Sequence, residues 1–129
     1  MKVQLKKVKA AGFSLVELLV VIAVIGIMAA IAIPMISNIN ANANSAKNQR
    51  NAQNIASVYG AATAAGAALS SSSKDTAITS LQAGIAGTGQ FSTTTFRVNV
   101  SGAPGTATSE AGQAAGLLNL ANGVMTTTF

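Results

Sequence analysis

The chain opens with a polar, lysine-containing stretch, continues with a long apolar run, and then changes to small and polar residues. The apolar run, residues 18–36, holds nineteen residues without a charged or hydrogen-bonding side chain. At a helical rise of about 1.5 Å per residue, the run measures about 28 Å, close to the roughly 30 Å hydrocarbon thickness of a bilayer. A membrane-spanning helix is therefore predicted in preference to a buried core helix.

Beyond residue 36 the composition shifts to Asn, Ala and Ser, yet apolar residues still recur at three- and four-residue steps. Asn is a poor helix former, so this segment would be marginal as an isolated helix. The periodicity nevertheless predicts that the helix continues to about Ser70. Pro34 lacks a backbone donor and collides with the preceding turn, while Gly26 weakens the same region. We therefore predict a helix kink governed by Gly26 and Pro34.

The rest of the chain carries shorter patterns separated by turn residues. Residues 75–83 have the spacing of a short helix capped by Ser73 or Asp75. The second half of residues 91–100 alternates apolar and polar positions, which indicates a half-buried strand. Residues 109–116 fit either a short helix or a loop, and the Asn-Gly pair at 122–123 predicts a β-hairpin.

These elements predict an α+β fold. A long N-terminal α-helix, whose first half is transmembrane, carries a small C-terminal antiparallel β-sheet head packed on its second half. The expected segments are a leader at 1–12, a membrane and assembly helix at 13–36, an outer helix at 37–70 and a globular head at 71–129. The head has few large apolar residues of its own, so we expect it to use three residues of the outer helix. They are Ile55, Val58 and Tyr59.

The most informative residue is an acid at the N-terminal end of the apolar run. This acid, Glu17, lies five positions after Gly12. An ionisable group in hydrocarbon is disfavoured by roughly 2.5 to 3.5 kcal/mol, so such a residue normally has a partner or a role. One alternative is that Glu17 lies at the interface and extends its carboxylate into the headgroups. The other is that a second chain neutralises it.

The lysines before the apolar run orient it. Positive residues favour the cytoplasmic side, and only Lys47 and Arg50 follow at some distance. The N-terminus is therefore predicted to stay in the cytoplasm and the segment beyond about Ser37 to be exported. An ordinary secretory signal would place its cleavage site after the apolar segment, whereas here the small residue of interest, Gly12, precedes it. The four lysines are Lys2, Lys6, Lys7 and Lys9.

Residues 12–22 read GFSLVELLVVI, which resembles the processing and assembly signature of type IV pilins and of the pseudopilins of type II secretion. The resemblance covers roughly residues 6–60. It implies that a membrane-embedded aspartyl prepilin peptidase cleaves between Gly12 and Phe13, that the new amine of Phe13 is methylated, and that Glu17 is the assembly glutamate. Glycine suits the cleavage site because it brings no side chain against the catalytic carboxylates and permits backbone conformations closed to other residues.

The resemblance further implies a structural role, as a filament subunit of a type II secretion system or a type IV pilus. Its partners would be copies of itself, related minor pilins or pseudopilins, the peptidase, an inner-membrane assembly platform and, before assembly, membrane lipid. The expected location is the bacterial inner membrane, single-pass, and then a periplasmic or extracellular filament. The signature is shared by systems for secretion, adhesion, motility and DNA uptake.

Composition argues against several other functions. The formal charge of +5 includes four leader lysines, and removing them leaves +1, too little and too scattered for a nucleic-acid-binding surface. The chain has no His and no Cys, which removes imidazole bases, thiolate nucleophiles and the usual zinc ligands. We therefore predict no catalytic residue, no metal and no cofactor.

The sequence also departs from many pilins, because it lacks both the cysteines of a C-terminal disulfide loop and the oxygen ligands of a calcium loop. The alternative function is a lone membrane-anchored binding module, in which the apolar helix tethers a small exported domain and does not polymerise.

Overall fold

The computed structural model describes residues 12–129. The expected leader therefore lies outside the described residues except for Gly12. Within the described part, the chain divides into two units that meet between Asn40 and Ala41. The fold is α+β, with a long N-terminal helix and two small antiparallel sheets that pack on the outer part of that helix.

The N-terminal helix, α1, extends over Leu15–Ala64 and is assigned as helix through Pro34. The kink expected from Gly26 and Pro34 stays a prediction. In the first unit, the large apolar side chains between residues 13 and 36 are 45–91% exposed. In the second unit, one face of α1 is buried by the head, whereas the opposite face is open to solvent. The buried positions are Ala52, Ile55, Tyr59 and Ala62.

The end of α1 differs from the sequence-based expectation, which placed it near Ser70. Gly66 has a φ of +73°, a left-handed conformation that glycine adopts without strain. The amide of Gly66 donates to the carbonyl of Thr63 at 3.0 Å, and that of Ala67 donates to the carbonyl of Ala62 at 2.9 Å. This pair of bonds is a Schellman motif, which satisfies the last carbonyls and terminates the helix.

The head contains two further α-helices, four short strands and one 3-10 turn. The strand β1 pairs with β2, and β3 pairs with β4, both antiparallel. The expected single sheet is therefore two separate two-stranded sheets. The elements are α2 (Lys74–Ala83), β1 (Ile85–Ala86), the 3-10 turn (Gly89–Phe91), β2 (Thr95–Phe96), α3 (Glu110–Gly116), β3 (Leu118–Ala121) and β4 (Val124–Thr127).

In the head, one local prediction is confirmed and one open alternative is decided. The hairpin of β3 and β4 turns at Asn122 and Gly123, whose φ angles of 52° and 73° are those of a type I′ turn. The segment left open between helix and loop forms α3, because the hydroxyl of Ser109 caps it by accepting a bond from the amide of Gly112 at 2.9 Å. Short-range chemistry thus determines both elements.

The strand expected over residues 91–100 is mostly absent. Only its middle pairs in a sheet, as β2, and residues 89–91 form the 3-10 turn. Val98 and Val100 are buried as the alternation implied, but the amide of Val98 bonds to the carbonyl of Leu81 at 3.1 Å instead of to a neighbouring strand. The alternation of apolar and polar residues therefore reflects burial against α2 and not hydrogen bonding to a neighbouring strand.

The core of the head is assembled around Tyr59, Ile55, Ile78 and Leu81. The prediction that the head would use α1 residues is confirmed, since Ile55 and Tyr59 are buried and Val58 packs partly against them. The Tyr59 hydroxyl donates to the carbonyl of Ser70 at 3.3 Å, which joins the segment after α1 back to the helix.

Polar contacts join α3 to the outer part of α1. Lys47 forms an ion pair with Glu110, and the amide of Asn48 donates to the side-chain oxygen of Gln113 at 2.6 Å. The second oxygen of Glu110 accepts the backbone amide of Ser101 at 3.3 Å. The Lys47 ammonium, aided by that amide, holds the pKa of Glu110 below its ordinary value. These bonds fix the position of α3 on the helix.

Replacing Ile55 with Ala is expected to destabilise the head by about 2 to 5 kcal/mol, because it opens a cavity beside Tyr59. The chain has one Tyr and no Trp, so Tyr59 fluorescence reports unfolding directly in a denaturant titration of the full chain in detergent. Gln53→Ala, at an exposed position of the same helix, is the control and should change little. Equal midpoints for the two variants would contradict this account of the core.

A pH titration tests the ion pair. Because the pKa of Glu110 is lowered on folding, its contribution is present above the ordinary carboxylate pKa of about 4.3 and is lost as the pH falls through the lower folded value. Glu110→Gln should therefore lose less stability than wild type on acidification. Lys47→Gln should show the same reduced dependence, because Lys47 is the main cause of the shift. A slope unchanged in both variants would disprove the coupling.

Candidate processing and assembly site

The residues that precede α1 are non-helical and exposed. Gly12, Phe13 and Ser14 lie outside the helix, and Phe13 is 91% exposed. A Cβ built on Gly12 would meet no atom within 4 Å among the described residues. The described part of the chain therefore gives no steric reason for a glycine at this position, and the bond between Gly12 and Phe13 is open to another protein.

Glu17 lies in the first turn of α1 and is tied to the helix start. Its carboxylate accepts the backbone amide of Ser14 at 2.9 Å, and the first helical bond runs from the amide of Leu18 to the carbonyl of Ser14 at 3.2 Å. This is the glutamate half of a capping box, in which a residue at the third helical position satisfies the amide of the N-cap. The acid also lies at the positive end of the helix dipole, where negative charge is favoured.

Ser14 was not among the sequence-predicted site residues. The signal was nevertheless present, because Ser14 and Glu17 have the S-x-x-E spacing of a capping box directly before an apolar run. The structure thus brings Ser14 and Glu17 together. Gly26 and Pro34 lie farther along α1, and the space around Gly26 is open in the described residues.

The helix that follows Glu17 is long and apolar enough to cross a membrane. None of the most apolar 18-residue segment of α1 is buried in the single chain. In the part of the chain that the structure describes, α1 is the one helix long and apolar enough to cross a membrane. An exposed apolar surface of this extent is far larger than the patches that soluble monomers tolerate. Lipid or other apolar helices must cover it, and the composition and length together indicate membrane anchoring.

The described residues offer little for other chemistry. Between residues 12 and 129 there is no group of three or more His, Cys, Asp or Glu side chains that could hold a metal ion. The acids of this part of the chain are Glu17, Asp75 and Glu110. Two of them have evident structural partners, Ser14 for Glu17 and Lys47 for Glu110.

Comparison with protein-family models identifies the N-terminal segment. Residues 7–33 match the prokaryotic N-terminal methylation motif. The matched range includes Gly12, Phe13, Glu17 and Gly26, and it ends one residue before Pro34. A search of curated proteins and a search of solved structures both find no match.

The chain therefore carries the N-terminal signature of type IV pilins and pseudopilins. The family of proteins with this motif is a structural one. The signature is that of a precursor whose N-terminus is processed and methylated and whose helix enters a pilus-like filament.

Proposed function

We propose that this chain is the precursor of a filament subunit, either a type II secretion pseudopilin or a type IV pilin, that polymerises through its N-terminal helix after the leader is removed. The observation that carries the proposal is a coincidence of position. Within residues 12–129, the methylation motif falls on a stretch where an exposed, non-helical glycine precedes a glutamate that caps the helix and an apolar helix that nothing covers.

Processing fits the local structure. In the proposed reaction, a membrane-embedded aspartyl peptidase hydrolyses the peptide bond between Gly12 and Phe13, which leaves a carboxylate on the leader and a free amine on Phe13. Proteases bind the scissile segment in an accessible, non-helical form, and both residues are exposed and precede the helix. The freed amine of Phe13 is then methylated.

Assembly follows from the apolar surface of α1 and its single acid. Helices of neighbouring subunits cover the side chains that are 45–91% exposed in one chain. The Phe13 amine of a subunit already in place neutralises the Glu17 carboxylate of the incoming one. In a medium of low dielectric constant such a pair is strong, but desolvation offsets much of the gain. Its main effect is to set the axial register between subunits.

The proposal also covers the location and the partners of the unassembled subunit. The unassembled subunit spans the bacterial inner membrane once, with its leader in the cytoplasm and its head exported. There it meets the peptidase, an assembly platform and related minor subunits. The chain itself does no catalysis and binds no cofactor. Its proposed role is that of a structural subunit of the filament.

Gly12→Val is expected to block processing, because a branched side chain enters the space that the peptidase requires to be empty. Intact mass analysis of protein from membranes should show wild type without residues 1–12 and with a methylated Phe13, whereas the variant keeps the leader. Gly26→Val makes the same change farther along α1 and should be processed normally. Normal maturation of Gly12→Val would argue against this cleavage site. A wild-type chain that retains its leader would favour a lone membrane-anchored binding module instead.

Glu17→Ala is expected to be cleaved like wild type but to lower the yield of filaments on the order of tenfold or more, because the neighbour's amine is left buried without a partner. The yield is measured by shearing or sedimentation of filaments, with the processed subunit in membranes as the reference. Glu110→Ala removes an acid of the head and is the matched control, which should still assemble. Wild-type filament yield from Glu17→Ala would refute the assigned role of the carboxylate.

A further inference from the structure

Two charged side chains of the second unit, residues 41–129, have no partner within it. In the part of the chain that the structure describes, the one ion pair joins Lys47 to Glu110, and the cations of the head donate to backbone carbonyls. The cation that remains is Arg50 on α1, and the acid that remains is Asp75 in the first turn of α2. Neither side chain makes a hydrogen bond or an ion pair within residues 12–129.

The carboxylate of Asp75 lies at a concave site of about 240 Å³ on the head, called the Asp75 site below. Its Oδ1 is buried and has no hydrogen-bond partner among the described residues, which is unfavourable unless a donor arrives. The χ2 angle of Asp has a broad minimum, so a small rotation turns this oxygen toward a donor in the site. Besides Lys74 and Pro104, the lining residues have no side chain or a single methyl group, which leaves room for a long side chain to reach the carboxylate. They are Gly105, Ala107, Gly112, Ala115 and Gly116.

Lys74 lines the Asp75 site but does not neutralise the carboxylate. Its ammonium donates to the carbonyls of Ala115 at 3.0 Å and Leu118 at 3.3 Å, and it forms no ion pair with Asp75. These bonds use two of its three donors and hold the cation at the C-terminal end of α3, where positive charge is favoured. The carboxylate therefore stays available to a donor from outside the subunit.

Arg50 lies on the face of α1 that points away from the head. The buried positions 52, 55, 59 and 62 form one stripe, and at 3.6 residues per turn Arg50 is about half a turn from the centre of that stripe. Arg50 and Asp75 therefore do not meet within one subunit. No acid lies one turn to either side of Arg50 on its own helix, where a charge could pair with it. The residues at those positions are Ala46, Lys47, Gln53 and Asn54.

We propose that Arg50 of one subunit enters the Asp75 site of a second copy, and that this contact joins neighbouring subunits of the filament. The inference rests on the proposed filament function. A guanidinium suits the site because it is planar, stays charged and can donate two parallel hydrogen bonds to a carboxylate. The contact uses different surfaces on the two copies, so each subunit can give its Arg50 to one neighbour and receive another at Asp75. Contacts of this heterologous kind generate an open helical assembly when they do not close into a ring.

Charge exchange tests the pairing. Arg50→Glu and Asp75→Arg should each lower the yield of sheared filaments about tenfold or more, because each places like charges at the contact. The double variant restores opposite charges and should return the yield to within about twofold of wild type. Lys47→Gln is the matched control, which removes an exposed cation one turn from Arg50 whose partner lies in its own subunit, and it should assemble normally. Tyr59 fluorescence in a denaturant titration shows whether each variant is folded.

Cross-linking tests proximity with both charges in place. The chain has no cysteine, so thiols introduced by Gln53→Cys, next to Arg50, and Ala107→Cys, in the Asp75 site, react selectively. Filaments and membranes of the double-cysteine variant, treated with a short bis-maleimide, should give a ladder of dimers, trimers and larger species, because each subunit carries both halves of the contact. Each single-cysteine variant should stay monomeric, and adding Arg50→Glu to the double-cysteine variant should remove the ladder.

Several results would overturn the contact. They are wild-type filament yield from both single charge variants, a folded double charge variant that assembles no better than the single ones, and double-cysteine filaments without a ladder. In each case wild-type filaments would leave the proposed function in place. If wild type forms no filament, the proposed function fails, and the cross-link in membranes decides the contact: a ladder supports it, and monomer alone overturns it.

Discussion

The apolar surface of the first part of α1 is the constraint on which the rest of the molecule depends. Its large side chains lie uncovered in the single chain, and the hydrophobic effect at about 25 cal/mol per Å² makes their exposure to water untenable. A bilayer would cover this apolar surface and remove it from water, and so would a bundle of identical helices. The surface does not distinguish between the two environments by itself. In the proposed filament the acid at its edge would distinguish them, because the Phe13 amine of a neighbouring subunit would be a charged partner for Glu17 only in the bundle.

The head depends on the same helix in a different way. Half of its buried apolar residues are alanines, so its elements approach closely but bury little area per residue. Phe91 and Phe129, two of the large apolar residues of the head, are 51% and 52% exposed. The largest buried side chains, Tyr59 and Ile55, belong to α1. A head of this size buries only part of its surface, and here it has no disulfide to compensate. The outer part of α1 is thus the centre of the head's core and not only a stalk.

Local chemistry could be predicted from the sequence wherever a short motif determines a backbone conformation. The hairpin at Asn122 and Gly123 is such a case. The helix α2 also begins after Ser73 as expected, but the predicted cap is absent, because the Ser73 side chain makes no capping bond. The end of α1 differs from the prediction because the apolar periodicity continues to about Ser70, whereas Gly66 terminates the helix earlier. The Gly66 signal was present in the sequence and carried more information than the periodicity.

Apart from the use of α1 residues by the head, the contacts between distant segments could not be predicted. Strand β1 occupies two residues in a glycine-rich stretch that favours a turn, and it exists because β2 pairs with it. Likewise, nothing in the composition links Lys47 to Glu110, since the partners are brought together by the packing of α3 on α1. In the candidate site the situation is reversed. The residues of the capping box, Ser14 and Glu17, are close in sequence, so their spacing alone predicts the capping geometry. The proposed partner from a second chain could not be predicted from that spacing.

The distribution of charge supports a filament that is held together mainly by its helices. Lys47 is paired with Glu110, Lys74 donates to the carbonyls of Ala115 and Leu118, and Arg97 donates to the carbonyl of Gln82. Each of these three cations has a partner within its own subunit. Exposed pairs of this kind are weakened by salt, whereas a charge pair buried among apolar helices is screened much less. In the proposed filament, the Glu17 contact would therefore be the electrostatic interaction that persists at high ionic strength.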